Sequence, residues 1–523
     1  MKRIIKLFSL LMMLSISLTS YAHDFEVDGL GYTIISTGDL TCEVSGLTNP
    51  DMKDIVIPET VTYMGRELSV IKIGKKAFAD TEIESVTLNA TISAVADECF
   101  MSCKNLRSVS PLTSVKYFGE KCFYECKALN NIEFNKELYK IELCWCCFAG
   151  CSSIESIVLH DNIVFQTHGY DNNSFSNSGL KKVEINCNVS CGTFSGCSSL
   201  TDVVLGSKCE EIDADAFQNC TSLTHIELPS SVKRLGTCCF IGCNSLETIN
   251  IQNVNEIGYC CFAYCKSLKA IEYNAQELGG EIFIGCTNLE MVSIGSKTQI
   301  ITNDAHAGHQ RDASPFEGCE IKILKILPKN NAVTLDCPLL IDLADDDKKD
   351  DSMFNSIEEL HLGCPMINKP NIYSSDNYKW NSSTLRNLKS LTFLSPYYLN
   401  ADGYDLYRSM APYIPWDQLT FLKSECLTPP ELYDVFTNLQ YTTMEVQVPF
   451  EALDAYKKAD VWKEFWNLKG YDGVDDIPAD NIDDDKVEVY NLHGMRMNIS
   501  SRDELCKLQP GLYIINGKKE VVK

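Results

Sequence analysis

Basic side chains are in short supply. The 523-residue chain has 46 Lys and Arg against 71 Asp and Glu, a net charge of −25. An acidic field of that size repels nucleic-acid phosphates and anionic bilayers, so no nucleic-acid partner is expected. After residue 22 no apolar run is long enough to cross a bilayer as a helix, and no transmembrane segment is expected. HExxH, GxSxG, a phosphate loop and a dinucleotide fingerprint are all missing. The expectation is therefore a protein without a cofactor, and not an enzyme. A carboxylate pair for glycoside hydrolysis stays open, because it needs only two acids about 5–9 Å apart.

One apolar run is present, at the start. Lys2, Arg3 and Lys6 precede FSLLMMLSISL (8–18), and Ser20 and Ala22 offer small residues at −3 and −1 of a cleavage site. This pattern predicts a signal peptide over 1–22 and a secreted or outer-surface protein after cleavage near Ala22. His23 rather than cysteine follows the cut, which argues against a lipid anchor there.

Phenylalanine recurs at 78, 100, 123, 148, 175, 194, 217, 240, 262 and 283, at intervals of 19 to 27 residues. In LTHIELPSSVKRLGTCCFIGCNS (223–245), counting from Phe217, Leu223, Ile226 and Leu228 fall at F+6, F+9 and F+11, and Leu235 lies five before the next Phe. The spacing predicts a short strand, a turn, then a helical or irregular return that carries the phenylalanine. A unit of about 23 residues cannot bury its own apolar side, but stacked copies share a continuous core.

These units resemble the BspA-type leucine-rich repeat family of bacterial surface proteins, whose unit runs roughly LxxIxLPxxVxxIgxxaFxxCxs. The resemblance implies a β-rich α/β repeat solenoid with parallel strands on one face and a cap at each end. By that reading 23–53 is an N-terminal β cap, opening with DFEVDGLGYTIIS, and 54–330 is the solenoid. Residues 331–470 would be degenerate repeats with insertions, strand-like at IEELHL (357–362) and LKSLTFL (388–394). They would end in an amphipathic helical cap at 448–470, with Ala452, Leu453, Tyr456 and Ala459 on its apolar side.

The 26 cysteines would normally signal a disulfide framework in an exported protein. Comparison of the repeats points elsewhere. Cysteine at F+3, from Cys103 to Cys319, gives way to Thr81 and Ser178; at F−1 it alternates with Ala77, Ser174, Thr193 and Ala216. Slots that accept Ala, Ser or Thr ask for small volume, which buried cysteine supplies. No zinc knuckle is expected, because histidine is absent from these pairs, and no reactive thiol, because neighbouring cations are sparse. At F−2, Glu98, Lys121, Asp215 and Glu281 mark an exposed slot that also holds Cys146, Cys238 and Cys260. Cys238 and Cys260 fall in consecutive coils, roughly one strand spacing apart, and are a candidate disulfide.

Two further clusters read better as polar loops than as metal sites. One is His306 and His309 with Asp304 and Asp312. The other is DDDKKDD (345–351), which lacks the glycine and distal glutamate of an EF-hand loop. What remains is a surface. Strand residues at F+8, F+10 and F+12 should point outward, placing Asn131, Glu133, His160, Asp202, His225, Glu227, Asn250, Gln252, Glu272 and Asn274 on one polar stripe. Such a face suits extended recognition. The family resemblance implies adhesion to host extracellular or cell-surface proteins, or to neighbouring cells. A carbohydrate-binding module is the alternative, less favoured because the stripe has few aromatics; a hydrolase with its site in 300–440 is a further one.

After Gly470 an acidic linker (471–486) precedes a small β module (487–523). VYNLHG and GLYIINGKK resemble the C-terminal sorting domain of the bacterial type IX secretion pathway, which implies outer-membrane export.

Overall fold

The computed structural model describes residues 23–279, 281–302, 315–327, 339–342, 356–363, 366–368, 385–394, 414–432, 435–471, 489–491, 511–515 and 518–522. The predicted signal peptide, the predicted acidic linker apart from Tyr471, the histidine cluster at 304–312 and DDDKKDD lie outside them. The chain divides into two compact units, the first holding residues 1–325 with 337–357 and 366–380, the second the remainder.

The first unit opens with antiparallel strands Phe25–Val27, Leu30–Ser36 and Thr41–Leu47. Coils follow, and most contribute two short parallel strands rather than one. The expected strand ladder appears as Asp54–Ile57, Ser85–Leu88 and Ser108–Ser110, then Ser156–Leu159, Lys182–Ile185 and Asp202–Leu205, all in parallel register. His225–Ile226 with Thr248–Ile249, and Ala270–Tyr273 with Met291–Ile294, extend the pattern. Alternate residues are buried, as in Val183 and Ile185 at 0% and 2% exposure, so the ladder has one core face and one outer face.

A second ladder runs where a helical or irregular return was expected. Ala94–Val95 pairs with Tyr117–Phe118, then Ile141–Leu143 and Ile163–Phe165; Glu211–Ile212, Arg234–Leu235 and Glu256–Ile257 do the same farther along. The apolar residue five before most phenylalanines anchors this ladder, Tyr170 before Phe175 being exposed instead, and among the described residues 23–302 contain no helix. The reason is spacing. Four residues separate the second strand from the phenylalanine in most coils, and the left-handed residue two before the ring breaks the run. The return therefore forms single hydrogen-bonded turns, such as Cys122 N–H to Gly119 O at 3.2 Å, rather than a helix.

Between the ladders the phenylalanines form one column. Rings from Phe78 to Phe316 stack at 5.0–5.8 Å between centroids and 4–17° between planes, each almost fully buried. Phe316 therefore extends the recurrence seen in the sequence. Each phenylalanine N–H donates to the next coil, as Phe217 does to Cys239 O at 2.9 Å. The residues two before and two after it adopt left-handed φ, near +55° at Asp215 and +56° at Asn219. Those two bends swing the chain in and out around the ring. Glycine at F+2 does a further job: the side chain of Asn219 lies against Gly242, and that of Tyr264 against Gly285, where a Cβ would collide.

The second unit carries parallel strands Glu359–Leu362, Ser390–Phe393, Phe421–Ser424, Glu445–Pro449 and Leu468–Tyr471. The single helix expected at 448–470 is instead a 3-10 turn (Phe450–Ala452), one turn of α-helix (Leu453–Tyr456) and another 3-10 turn (Trp462–Glu464), with both ends of the segment drawn into strands. Ala452 and Tyr456 are buried, whereas Leu453 and Ala459 are only half-buried. Trp462, wholly buried, takes the inner role. At the C-terminus Val489–Asn491, Gly511–Ile515 and Lys518–Val522 form an antiparallel meander.

Candidate functional site

The strand ladder in the first unit carries Asp202, His225 and Glu272; His160, Glu227, Asn250, Gln252 and Asn274 lie past strand ends, and Asn131 and Glu133 fall in a coil segment without a strand. Register places Ser156 beside Lys182 and Asp202, and Val158 beside Glu184 and Val204; His225 lies beside Thr248, and Glu272 beside Ser293. Asn131, Glu133, Asp202, His225, Glu227 and Glu272 are exposed; His160, Asn250, Gln252 and Asn274 are half-buried.

Their hydrogen bonds separate them into working groups. Asn250 accepts from the Leu228 N–H at 2.7 Å and donates to the Leu228 carbonyl at 2.9 Å. Its amide thus replaces strand pairing where the flanking strands are only two residues long. Asn274 likewise donates to Gln252 O at 3.2 Å and accepts from Lys297 N–H at 3.1 Å. Both amides bond the backbone of adjacent coils through one N–H and the oxygen, so they hold coils together. The His225 Nδ1 meets Thr248 Oγ1 at 2.8 Å, and Asn131 donates to Glu133 at 3.4 Å. Glu227 and Glu272 project from the face with neither a side-chain hydrogen bond nor an ion pair. Val158 and Val204, at outward positions of the same repeat pattern, are 42% and 49% exposed, with the Lys182–Glu184 ion pair (2.8 Å) between them; Val56, before the first phenylalanine of the repeat, is 52% exposed and not anticipated by that pattern.

The cysteine columns are interior, and they have a chemistry the volume argument did not contain. At F+3 each thiol donates to the carbonyl of the preceding coil's phenylalanine: Cys103 to Phe78 at 2.8 Å, Cys126 to Phe100 at 2.9 Å, Cys220 to Phe194 at 3.3 Å, Cys243 to Phe217 at 3.1 Å and Cys319 to Phe283 at 3.1 Å. The tolerated alternatives at this slot, threonine and serine, are also small donors, and Thr81 Oγ1 donates to Phe78 O at 2.7 Å. Burial pushes these thiols up, Cys103 to about 11 and Cys243 to about 12. They are neutral donors rather than thiolates.

The F−2 slot departs from expectation. Cys146 and Cys260 are buried, at 8% and 7% exposure, and Cys238 is half-buried. A long Lys or Glu on this left-handed bend reaches water, whereas a two-atom side chain stays against the adjacent coil. Cys238 and Cys260 are free thiols in consecutive coils, and the Cys260 thiol donates to Glu281 at 3.3 Å. The adjacent Cys260 thiol lowers Cys238; the Cys238 thiol, burial and nearby Glu281 raise Cys260.

Two open hollows complete the surface. One of about 600 Å³ opens where the second ladder is interrupted, lined by Asp161, Val164, Asn186, Asn188, Lys208, Glu211 and Asp213 among others. Its polar groups are committed: Asn188 accepts from the Glu210 and Glu211 N–H groups, and Glu211 pairs with Arg234. The other, about 350 Å³, is bordered by Gln218, Asn219, Asn244, Lys266 and the half-exposed ring of Tyr264. Among the described residues no group of His, Cys, Asp and Glu could hold a metal ion, and no helix is long and apolar enough to cross a membrane.

Residues 71–192 and 188–311 match the BspA type leucine rich repeat region, in six copies. The fold of these coils is that of a leucine-rich repeat, with parallel strands in sheets and few helices. Similar solved structures include a leucine-rich repeat protein from Bacteroides ovatus, 20% identical over 77% of this chain and 100% of that one, with a TM-score of 0.46. A leucine rich cell surface protein from Faecalibacterium prausnitzii is 18% identical over 74% of this chain and 96% of its own, TM-score 0.36. The pneumococcal vaccine antigen PcpA is 15% identical over 75% and 96%, TM-score 0.30. No curated protein matches the chain significantly.

Proposed function

We propose that this is an exported recognition protein that binds host extracellular or cell-surface proteins, or the surface of a neighbouring cell, through the outer face of its strand ladder. One observation carries the reading. Exposed Glu227 and Glu272 stand without side-chain partners on a rigid ladder whose neighbouring amides, Asn250 and Asn274, are spent on locking the coils. A face whose framework is satisfied internally while its charges are left free is preorganised to meet a partner's donors. The partner's chemistry follows from the face: a protein patch bearing Lys or Arg, with small apolar side chains to meet Val158 and Val204. The signal-like start and the sorting-like tail support export, and the tail acts in this reading as the sorting element. Chemistry on a substrate is no part of it.

The test is binding of the full chain to a panel of purified extracellular-matrix proteins, measured by surface plasmon resonance at two salt concentrations. Glu227→Lys together with Glu272→Lys should weaken binding at least tenfold, mostly through slower association. Unchanged binding by the double variant would move the site off this face. A carbohydrate reading draws on a different place, the hollow beside Tyr264, where an exposed ring and three amides could hold a sugar. Loss of binding in Tyr264→Ala, with the double variant unaffected, would favour that reading.

A further inference from the structure

The coils of Phe240 and Phe262 are consecutive, and both place cysteine two before the ring. Cys238 and Cys260 share the same left-handed bend, φ +55° and +51°. The Cys238 N–H donates to Tyr259 O and the Phe240 N–H to Cys261 O, both at 2.8 Å, so the two cysteines sit abreast across one inter-coil step. That step, about 4.8 Å, lies within the Cα separations of roughly 4.4–6.8 Å that disulfides span. The Cys260 Sγ donates to Glu281 Oε2 at 3.3 Å, which sets an acceptor beside the pair. Other stacked cysteines differ. Cys239 and Cys261 have no exposure to solvent, and Cys286 is buried with its thiol committed to Phe262 O. Cys238 is the half-exposed member of its pair, reachable from solution.

We propose that Cys238 and Cys260 form a thiol–disulfide exchange site that reacts with small organic disulfides and closes into a covalent link between adjacent coils. The Cys238 thiolate attacks one sulfur of the small disulfide, forming a mixed disulfide and releasing one small thiolate. Cys260 then gives its proton to Glu281, attacks the Cys238 sulfur and displaces the second small thiolate. Two protein thiols are oxidised and one small disulfide is reduced to two thiols, so electrons balance. Excess small thiol reverses both steps. The site closes without repacking the column, because the F−2 side chains lie outside the stacked rings.

The reduced full chain, treated with oxidised glutathione, quenched by alkylation and mapped by mass spectrometry, tests this independently of any partner. Expected is the loss of two alkylatable thiols and a linked peptide pair joining Cys238 to Cys260, reversed by dithiothreitol. Cys260→Ser should hold Cys238 as a stable glutathione adduct, and Glu281→Gln should let that adduct accumulate before closure. Both substitutions fall in a slot that elsewhere takes Lys121 and Asp215, and limited proteolysis checks that the variants fold. Quantitative alkylation of both cysteines after oxidation would overturn the proposal. So would a glutathione adduct on native Cys238 that never resolves; mapping of the unmodified chain suffices even if a variant misfolds.

Discussion

Between Phe78 and Phe316 the interior is one slot repeated: a flat ring and, in most coils, a thiol closing on the carbonyl of the preceding coil's phenylalanine. The second unit has parallel strands too, but its interior is individual. Trp416, Phe436, Tyr441 and Phe465 meet edge-on or tilted, and Trp462 stands perpendicular to Tyr456 at 4.8 Å. Polar handles are bespoke: Trp462 Nε1 donates to Pro430 O, Tyr456 to Cys426 O, and buried Gln440 to Leu419 O. A capping box of Thr437 and Gln440 starts the short helix Asn438–Thr443. Repetition lets each coil depend on its neighbours alone, whereas a cluster of unlike aromatics depends on every member at once.

Alkali should expose the contrast most strongly. Except for Cys426, all the described cysteines belong to the first unit. Burial raises Cys103 to about 11 and Cys187, Cys209 and Cys243 to about 12, against 9.0 in the open chain. The folded pKa lies above the unfolded one, so this stabilisation is complete below pH 9 and is lost as pH climbs toward 11 to 12. Each such thiol removes about 1.4 kcal/mol per pH unit in that window. These four together remove about 5 kcal/mol per unit, against about 1.4 for Cys426. Pulse proteolysis under reducing conditions at pH 8, 9 and 10 should release fragments of 94–302 first. Simultaneous loss of both regions would break the comparison.

Truncation of single rings comes next. Phe217→Ala should cost about 4 kcal/mol, because the emptied slot lies between Phe194 and Phe240, both held by stacking. Hydrogen exchange should rise in the coils on either side and fade with distance along the stack. Trp462→Ala carries a similar total of about 4 kcal/mol, but exchange should rise throughout 414–471 together. Damage from Phe217→Ala that spread evenly over the first unit would contradict nearest-neighbour coupling.

The repeat was legible because it aligns with itself: Phe217, Cys220, Leu223, Ile226 and Leu235 each occupy a column, and each column names a burial state. The second ladder escaped notice because a two-residue strand such as Arg234–Leu235 has one apolar residue and no alternation to detect. The cap at 448–470 misled for the opposite reason. Apolar spacing of three and four suggested a continuous helix, yet Pro449 and a left-handed Val461 (φ +68°) interrupt it. At the candidate site, columns gave direction but not occupation. Asn250 and Glu227 look equally polar in sequence, and only geometry shows one satisfied by Leu228 and the other free.

The thiol hydrogen bond gives the finest comparison. Cys220 donates to Phe194 O at 3.3 Å in the first unit, whereas Cys426 stands 3.7 Å from Phe393 O in the second. Both replacements by alanine remove the same sulfur volume, so their difference reports the bond itself. Cys220→Ala should lose about 1 kcal/mol more than Cys426→Ala, measured as the shift in urea midpoint. Cys220→Ser should recover part of that loss, since its hydroxyl keeps a donor close to the position of the sulfur. Equal losses in the two alanine variants would mean that F+3 selects volume alone, and that the carbonyl contact follows from packing rather than contributing to it.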